Sequence, residues 1–186
     1  ASKTVCFRTW VNLLLRIGCL GLTVFLGAGR VRGMDLSSAL VVAPPDLSGP
    51  EQKAVTMLVE EVEKRTLFRW PVQQVWPTTN ATVIAVGNRR ALEAFAGARA
   101  AELQTIARDT RPEGYQLAVK SGSGGTTVYV IGNDARGVLF GVGRLLRELR
   151  MVSREVSLRD DLQIASAPKY PLRGHQVGYR PKTHSY

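Results

Sequence analysis

Residues 114–150 constrain this chain most, because a period of two gives way there to a helical period with almost no connecting sequence. Tyr115, Leu117 and Val119 alternate with polar residues, residues 121–125 (Ser-Gly-Ser-Gly-Gly) read as a flexible turn, and Val128 and Val130 resume the alternation. The pattern predicts a β-hairpin. Asp134 follows as a side-chain cap, and Val138, Val142, Leu145 and Leu149 then share one face of a helix over residues 135–150, joined by Leu139 and Leu146. Gly137, Gly141 and Gly143 sit in the first half of that helix. Each costs about 1 kcal/mol relative to alanine, and close approach of the helix to a sheet is the ordinary compensation. A phosphate loop is the sharper reading. It lacks its context: there is no Gly-Lys-Ser or Gly-Lys-Thr, and the glycines do not open the helix directly after the strand.

Upstream, the same alternation of short apolar runs and helical stretches continues. Residues 39–42 read as a buried strand closed by Pro44 and Pro45. Ser48, Gly49, Pro50 and Glu51 then supply a cap, a first-turn proline and a carboxylate three residues after the cap, which starts a helix. Val55, Leu58, Val59 and Val62 form its apolar face, with Glu60, Glu61 and Lys64 outside it. Residues 82–86 form a second strand, Gly87 and Asn88 end it and cap a short helix from residue 89 to about 96, and residues 98–107 extend the helical pattern. Val156 and Leu158 alternate as a further strand. Residues 165–168 read as a linker, after which residues 172–179 begin a new strand.

Charge separates the middle of the chain from its ends. The formal net charge is +10, but residues 1–33 carry five cations and no acid, and residues 168–186 carry four and no acid. The middle is nearly balanced and has no basic stripe interleaved with aromatics, so the charge does not point to a nucleic-acid partner. Residues 1–33 combine Lys3 and Arg8, an apolar run over residues 17–28, and the small residues Gly27, Ala28 and Gly29. This reads as an export signal. Twelve helical residues rise only about 18 Å against a hydrocarbon core of about 30 Å, and extending the run backwards takes in Arg16. A membrane anchor is the alternative, and the expected location is periplasmic or extracellular. Met34 is an alternative start that would remove the leader. Both cysteines, Cys6 and Cys19, fall in the leader, so the remainder has no thiol. Arg16, three residues before Cys19, argues against a lipoprotein signal.

No catalytic constellation emerges. Asp160 and Asp161 are an adjacent acid pair, but neighbours on a strand point to opposite faces, so a turn is their expected place. His175 and His184 are the only histidines and have no His-Glu-x-x-His array, so no metal site and no cofactor is expected. No Gly-x-Ser-x-Gly elbow is present.

One ordered series remains: Gly114-Tyr-Gln-Leu117, Val128-Tyr-Val-Ile-Gly132, Asp134, Gly137, Gly141, Leu145-Leu146, and residues 167–174 (Ala-Pro-Lys-Tyr-Pro-Leu-Arg-Gly). It resembles the non-catalytic second domain of family 20 glycoside hydrolases, the β-N-acetylhexosaminidases, and the related domain that precedes the barrel in α-glucuronidases. The resemblance implies an α/β fold, an α+β sandwich in which a mixed β-sheet carries helices mainly on one face. Residues 34–167 would then be the accessory domain, and residues 168–186 a linker and the first strand of a truncated (β/α)8 barrel. By resemblance Arg173 is a substrate-binding residue, its fork of donors engaging two sugar hydroxyls; an interdomain ion pair is the alternative. Those enzymes usually carry an aspartate five residues after this arginine and a second arginine eight after it. Here Gly178 and Pro181 stand there, with Arg180 one residue early. An α-glucuronidase-like parent therefore stays open beside a hexosaminidase-like one, as does a freestanding exported module that binds carbohydrate or protein. In the first two cases the carbohydrate substrate is met through a barrel against which the domain packs, and the catalytic carboxylates lie beyond this sequence, so the fragment alone is expected to be inactive.

Overall fold

The computed structural model describes residues 33–122, 124–170, 172 and 174. Strand β1 (Met34–Asp35) leads to β2 (Leu40–Val42) and to helix α1 (Gly49–Thr66). The start of α1 follows from its cap: the Ser48 backbone N–H and hydroxyl both donate to the Glu51 carboxylate, at 2.9 and 2.6 Å. After α1 come β3 (Val72–Gln73), β4 (Val83–Asn88), α2 (Arg89–Phe95), a 3-10 turn (Gly97–Arg99) and α3 (Ala100–Gln104). The hairpin β5 (Tyr115–Gly122) and β6 (Gly125–Gly132) precedes α4 (Ala135–Glu148). Strands β7 (Arg150–Val152), β8 (Glu155–Leu158) and β9 (Gln163–Ser166) follow.

Six strands form one mixed sheet in the order β3-β2-β4-β6-β5-β9. β3, β2, β4 and β6 run parallel, whereas β5 is antiparallel to β6 and to β9. A second sheet, β1-β8-β7, is antiparallel throughout. The fold is therefore mixed α/β with four α-helices among the described residues. On one face, Ile84, Val86, Val128, Val130 and Leu117 meet the stripe of α1 and the stripe of α4. The expected apolar positions Val55, Leu58, Val59, Val62, Val138, Val142, Leu145 and Leu149 are all buried. Each such side chain contributes roughly 1.5–3 kcal/mol relative to exposure.

The two long helices share that face, as expected, but the other face is not bare. Ala85, Ala118, Tyr129 and Ile131 pack there under Leu92 of α2 and Leu103 of α3. The helical stretch expected over residues 98–107 is also shorter than anticipated. Gly97 takes a positive φ and breaks it from α2, and the Thr105 hydroxyl donates back to the Glu102 carbonyl where α3 ends. The expected helix end at residue 150 shifts to Glu148, since Leu149 turns extended and Arg150 opens β7.

Residues 165–166, expected as linker, instead complete β9. Pairing Leu117 with Ile164 gives β5 a neighbour on its second side and so satisfies backbone groups that a short sheet would leave unpaired. Asp160 and Asp161 lie in a turn, as expected. No closed barrel is formed by the described residues. The strand expected over residues 172–179 falls largely outside them, and Leu172 and Gly174 lie in no strand. The leader also lies outside the described residues.

The three helix glycines are not equivalent. A Cβ on Gly137 would stand 2.2 Å from the Gly114 carbonyl oxygen, and one on Gly132, at the end of β6, 2.3 Å from the Val138 nitrogen. Backbone meets backbone there, and no rotamer relieves it. At Gly141 the neighbours are Val130 and Tyr115 side chains at 3.1 and 3.3 Å, and at Gly143 no described residue lies within 4 Å. Gly137→Ala is thus expected to destabilise by about 3 kcal/mol through overpacking, whereas Gly143→Ala should be neutral or stabilising by up to about 1 kcal/mol. Urea unfolding of the two variants checks the contrast, and equal effects would refute it.

Candidate functional site

The topology favours a ligand site at one place in the main sheet. Helix α1 leaves the end of β2 on one face of the sheet, while α2 leaves the end of the adjacent parallel strand β4 on the other. In open α/β sheets the crevice outside two such strand ends is the usual ligand site. Here it is closed by the chain itself. Glu51, 2% exposed, accepts from Asn88 Nδ2 at 2.7 Å through Oε1 and from Ser48 through Oε2. Asn88 Oδ1 in turn accepts from the Ala91 N–H at 2.9 Å and starts α2. A Cβ on Gly87 would already touch Pro44 and Leu92 at 3.2 Å. Burial by itself would push the Glu51 carboxyl up, but the Ser48 and Asn88 hydrogen bonds together hold it below its ordinary value of 4.5.

The phosphate reading of the glycine-rich helix fails for a related reason. The N-terminus of α4 is occupied by Asp134, whose Oδ1 accepts from the Gly137 N–H at 2.8 Å and whose Oδ2 accepts from the Glu113 N–H at 2.7 Å. A carboxylate already sits at that positive helix end, and the Gly114 carbonyl fills the space beside it. Close packing is what Gly137 serves.

Two polar clusters secure the second face. Tyr129 donates its hydroxyl to Glu102 Oε2 at 2.7 Å, and burial, reinforced by that carboxylate, pushes the phenol well above its ordinary value. Arg99 donates to Thr127 Oγ1 and to the Gly124 carbonyl, each at 2.7 Å, and lies over the Trp76 ring at 5.0 Å. Further along, Arg89 directs its guanidinium at the Leu103, Ile106 and Ala107 carbonyls and at Gln116 Oε1, and so caps the end of α3. Its Nε is buried without a partner among the described residues, and burial lowers its pKa. These groups hold one another. None is a nucleophile poised beside a base.

Among the described residues no group of three or more metal-ligating side chains comes together, and no helix is long and apolar enough to cross a membrane. Open grooves lie beside α1 and α4 among the described residues. One of about 330 Å³ runs between α1 and β3, past Pro44, Leu47, Val55, Val59 and Val72. The other, about 300 Å³, lies along the outer side of α4 near residue 168. Arg173, the one substrate-binding residue expected from the sequence, lies outside the described residues. Glu51 was legible in the sequence as a capping residue, but its pairing with Asn88 was not.

The chain is similar to solved glycoside hydrolases. One is a family GH115 4-O-methyl-α-glucuronidase with specificity for decorated arabinogalactans, at 13% identity and a TM-score of 0.52, the match covering 73% of this chain and 18% of that one. Another is the Flavobacterium johnsoniae chitobiase of family GH20, at 19% identity and a TM-score of 0.42, covering 76% and 19%. The likeness to the first is one of fold. This chain spans less than a fifth of either protein's length. No protein-family model matches it, and no curated protein matches it.

Glu51 and Tyr129 generate two expectations. Because the folded-state pKa of Glu51 is depressed, its contribution is fully present above 4.5 and is lost as pH falls through the lower folded value. Glu51→Gln should therefore cost on the order of 1–2 kcal/mol at neutral pH. That gap should narrow below pH 4.5 in denaturant titrations; a gap that widens in acid contradicts the assignment. Tyr129→Phe should cost about 1–2 kcal/mol by leaving Glu102 without its donor, and hydrogen exchange should show α3 opening more readily than α4.

Proposed function

We propose that this chain is the N-terminal accessory domain of an exported glycoside hydrolase, set before a (β/α)8 catalytic barrel and without catalytic carboxylates of its own. The observation that carries this reading is the fold shared with the GH115 α-glucuronidase over 73% of the chain. It is supported by the order in which hairpin, glycine-packed helix and the Pro-Leu-Arg-Gly segment ending at Gly174 follow one another. The inward use of the polar residues agrees with it: the crevice at the strand ends is filled, and the helix N-terminus is capped. In this reading the domain buttresses a barrel, and the segment from Pro168 onward carries the chain into it.

An α-glucuronidase-like parent is favoured over a hexosaminidase-like one. The α-glucuronidase shares the fold, and Gly178 and Pro181 replace the aspartate and arginine of the hexosaminidase pattern. Arg173 would then stand at the mouth of the sugar site, where a guanidinium can engage two hydroxyl or carboxylate oxygens at once.

The test is hydrolysis by the polypeptide that joins this chain to its downstream coding sequence. Release of 4-O-methylglucuronic acid from decorated oligosaccharides is expected, with slower or no cleavage of aryl N-acetyl-β-glucosaminides and none of either by the 186-residue chain. Cleavage by the 186-residue chain itself would overturn the reading. In the active polypeptide, Arg173→Ala should lower kcat/KM by about 100-fold, roughly 2.7 kcal/mol, without changing the melting temperature. Unchanged kinetics would assign Arg173 to an interdomain ion pair instead.

A further inference from the structure

Gly143 is not held by packing among the described residues. A Cβ there meets nothing within 4 Å among the described residues, unlike the backbone-tight Gly137 and the side-chain-packed Gly141. A mid-helix glycine with open space is unfavourable for the isolated fold, so its value lies in keeping something open. Gly143 lies in the wall of the roughly 300 Å³ groove with Tyr115, Leu139, Phe140, Arg147 and Pro168. Arg147 is exposed and has no ion pair among the described residues. The chain leaves the domain past this groove, and the side chains that follow Pro168 present apolar surface outward: Tyr170 is 71% exposed and Leu172 91%.

We infer that this groove on α4 is the docking surface for the domain that follows residue 168 in the same polypeptide. That domain would insert an apolar side chain over Gly143 and present a carboxylate to Arg147. The occupant follows from the exit of the chain. Whatever is tethered at Pro168 is held beside the groove at high effective concentration, so a modest apolar contact with one charge pair suffices. The absent Cβ at Gly143 lets the inserted side chain approach the helix backbone, and Tyr170 and Leu172 are exposed apolar side chains on the connection itself. The other groove, beside β3, is not lined by residues 166–168.

This inference rests on the accessory-domain reading, and its test separates the two. In the longer polypeptide, Gly143→Leu should raise the rate of tryptic cleavage at Lys169 and Arg173 by about 10-fold, and Arg147→Glu by about 5-fold, as the docked state opens. The melting temperature of the 186-residue chain should not fall with either substitution. Cleavage at the wild-type rate in both variants overturns the docking surface. So does a lowered melting temperature of the 186-residue chain with Gly143→Leu, provided that Arg147→Glu also leaves cleavage unchanged. Glycoside hydrolysis by the wild-type polypeptide is scored independently. An active enzyme whose variants resist trypsin sinks only the docking surface, and an inactive one whose variants open sinks only the hydrolase reading.

Discussion

The seat of α4 on the sheet depends on one backbone contact, the approach of Gly137 to the Gly114 carbonyl at the ends of β5 and β6. Any Cβ at Gly137 or Gly132 would hold the helix off by more than a packing adjustment can absorb. Asp134 fixes the approach from the other side, since one carboxylate caps α4 and also ties the Glu113 backbone that leads into β5. With that end anchored, the rotation of α4 is set. Val138, Val142 and Leu145 must face the sheet and α1, and Gly143 must face away. The position of β7 follows as well, because only Leu149 separates it from the end of the helix.

What could be read from the sequence was what local periodicity encodes. Helix α1 with its Ser48 and Glu51 cap, the β5 and β6 hairpin, and the stripe of α4 are each specified by residues within a few positions of one another. Strands β1 and β3 have two residues each and carry no period; they exist because β8 and β2 offer them hydrogen bonds. The last two residues of β9 looked like linker for the same reason, their strand character coming from β5. The site was less legible still. Asn88 lies 37 residues from Glu51, and only the adjacency of β2 and β4 joins them. The three helix glycines looked alike, yet among the described residues one meets backbone, one meets side chains and one meets neither.

The two faces of the sheet are held by different means. α1 and α4 bring long apolar stripes, and buried area dominates their attachment. α2 and α3 have seven and five residues, too short to be stable helices by themselves. Directed bonds supplement their small apolar contact: Arg99 reaches Thr127 and Gly124 in the hairpin, Tyr129 holds Glu102, and Arg89 closes the end of α3. The polar groups that might have suggested chemistry are the ones the second face needs in order to stay covered.

That division bears on where a scaffold of this kind can meet another body. Side chains pinned by several directed bonds are poor material for a new interface, because each bond must survive the encounter or be replaced. Among the described residues the outer side of α4 carries no such obligation at Gly143 or Arg147, and its inner side is already fixed by the contact at Gly137. A helix locked at one end and on one face, yet bare at a glycine on the other, presents a rigid surface whose ordering cost was met when the domain folded.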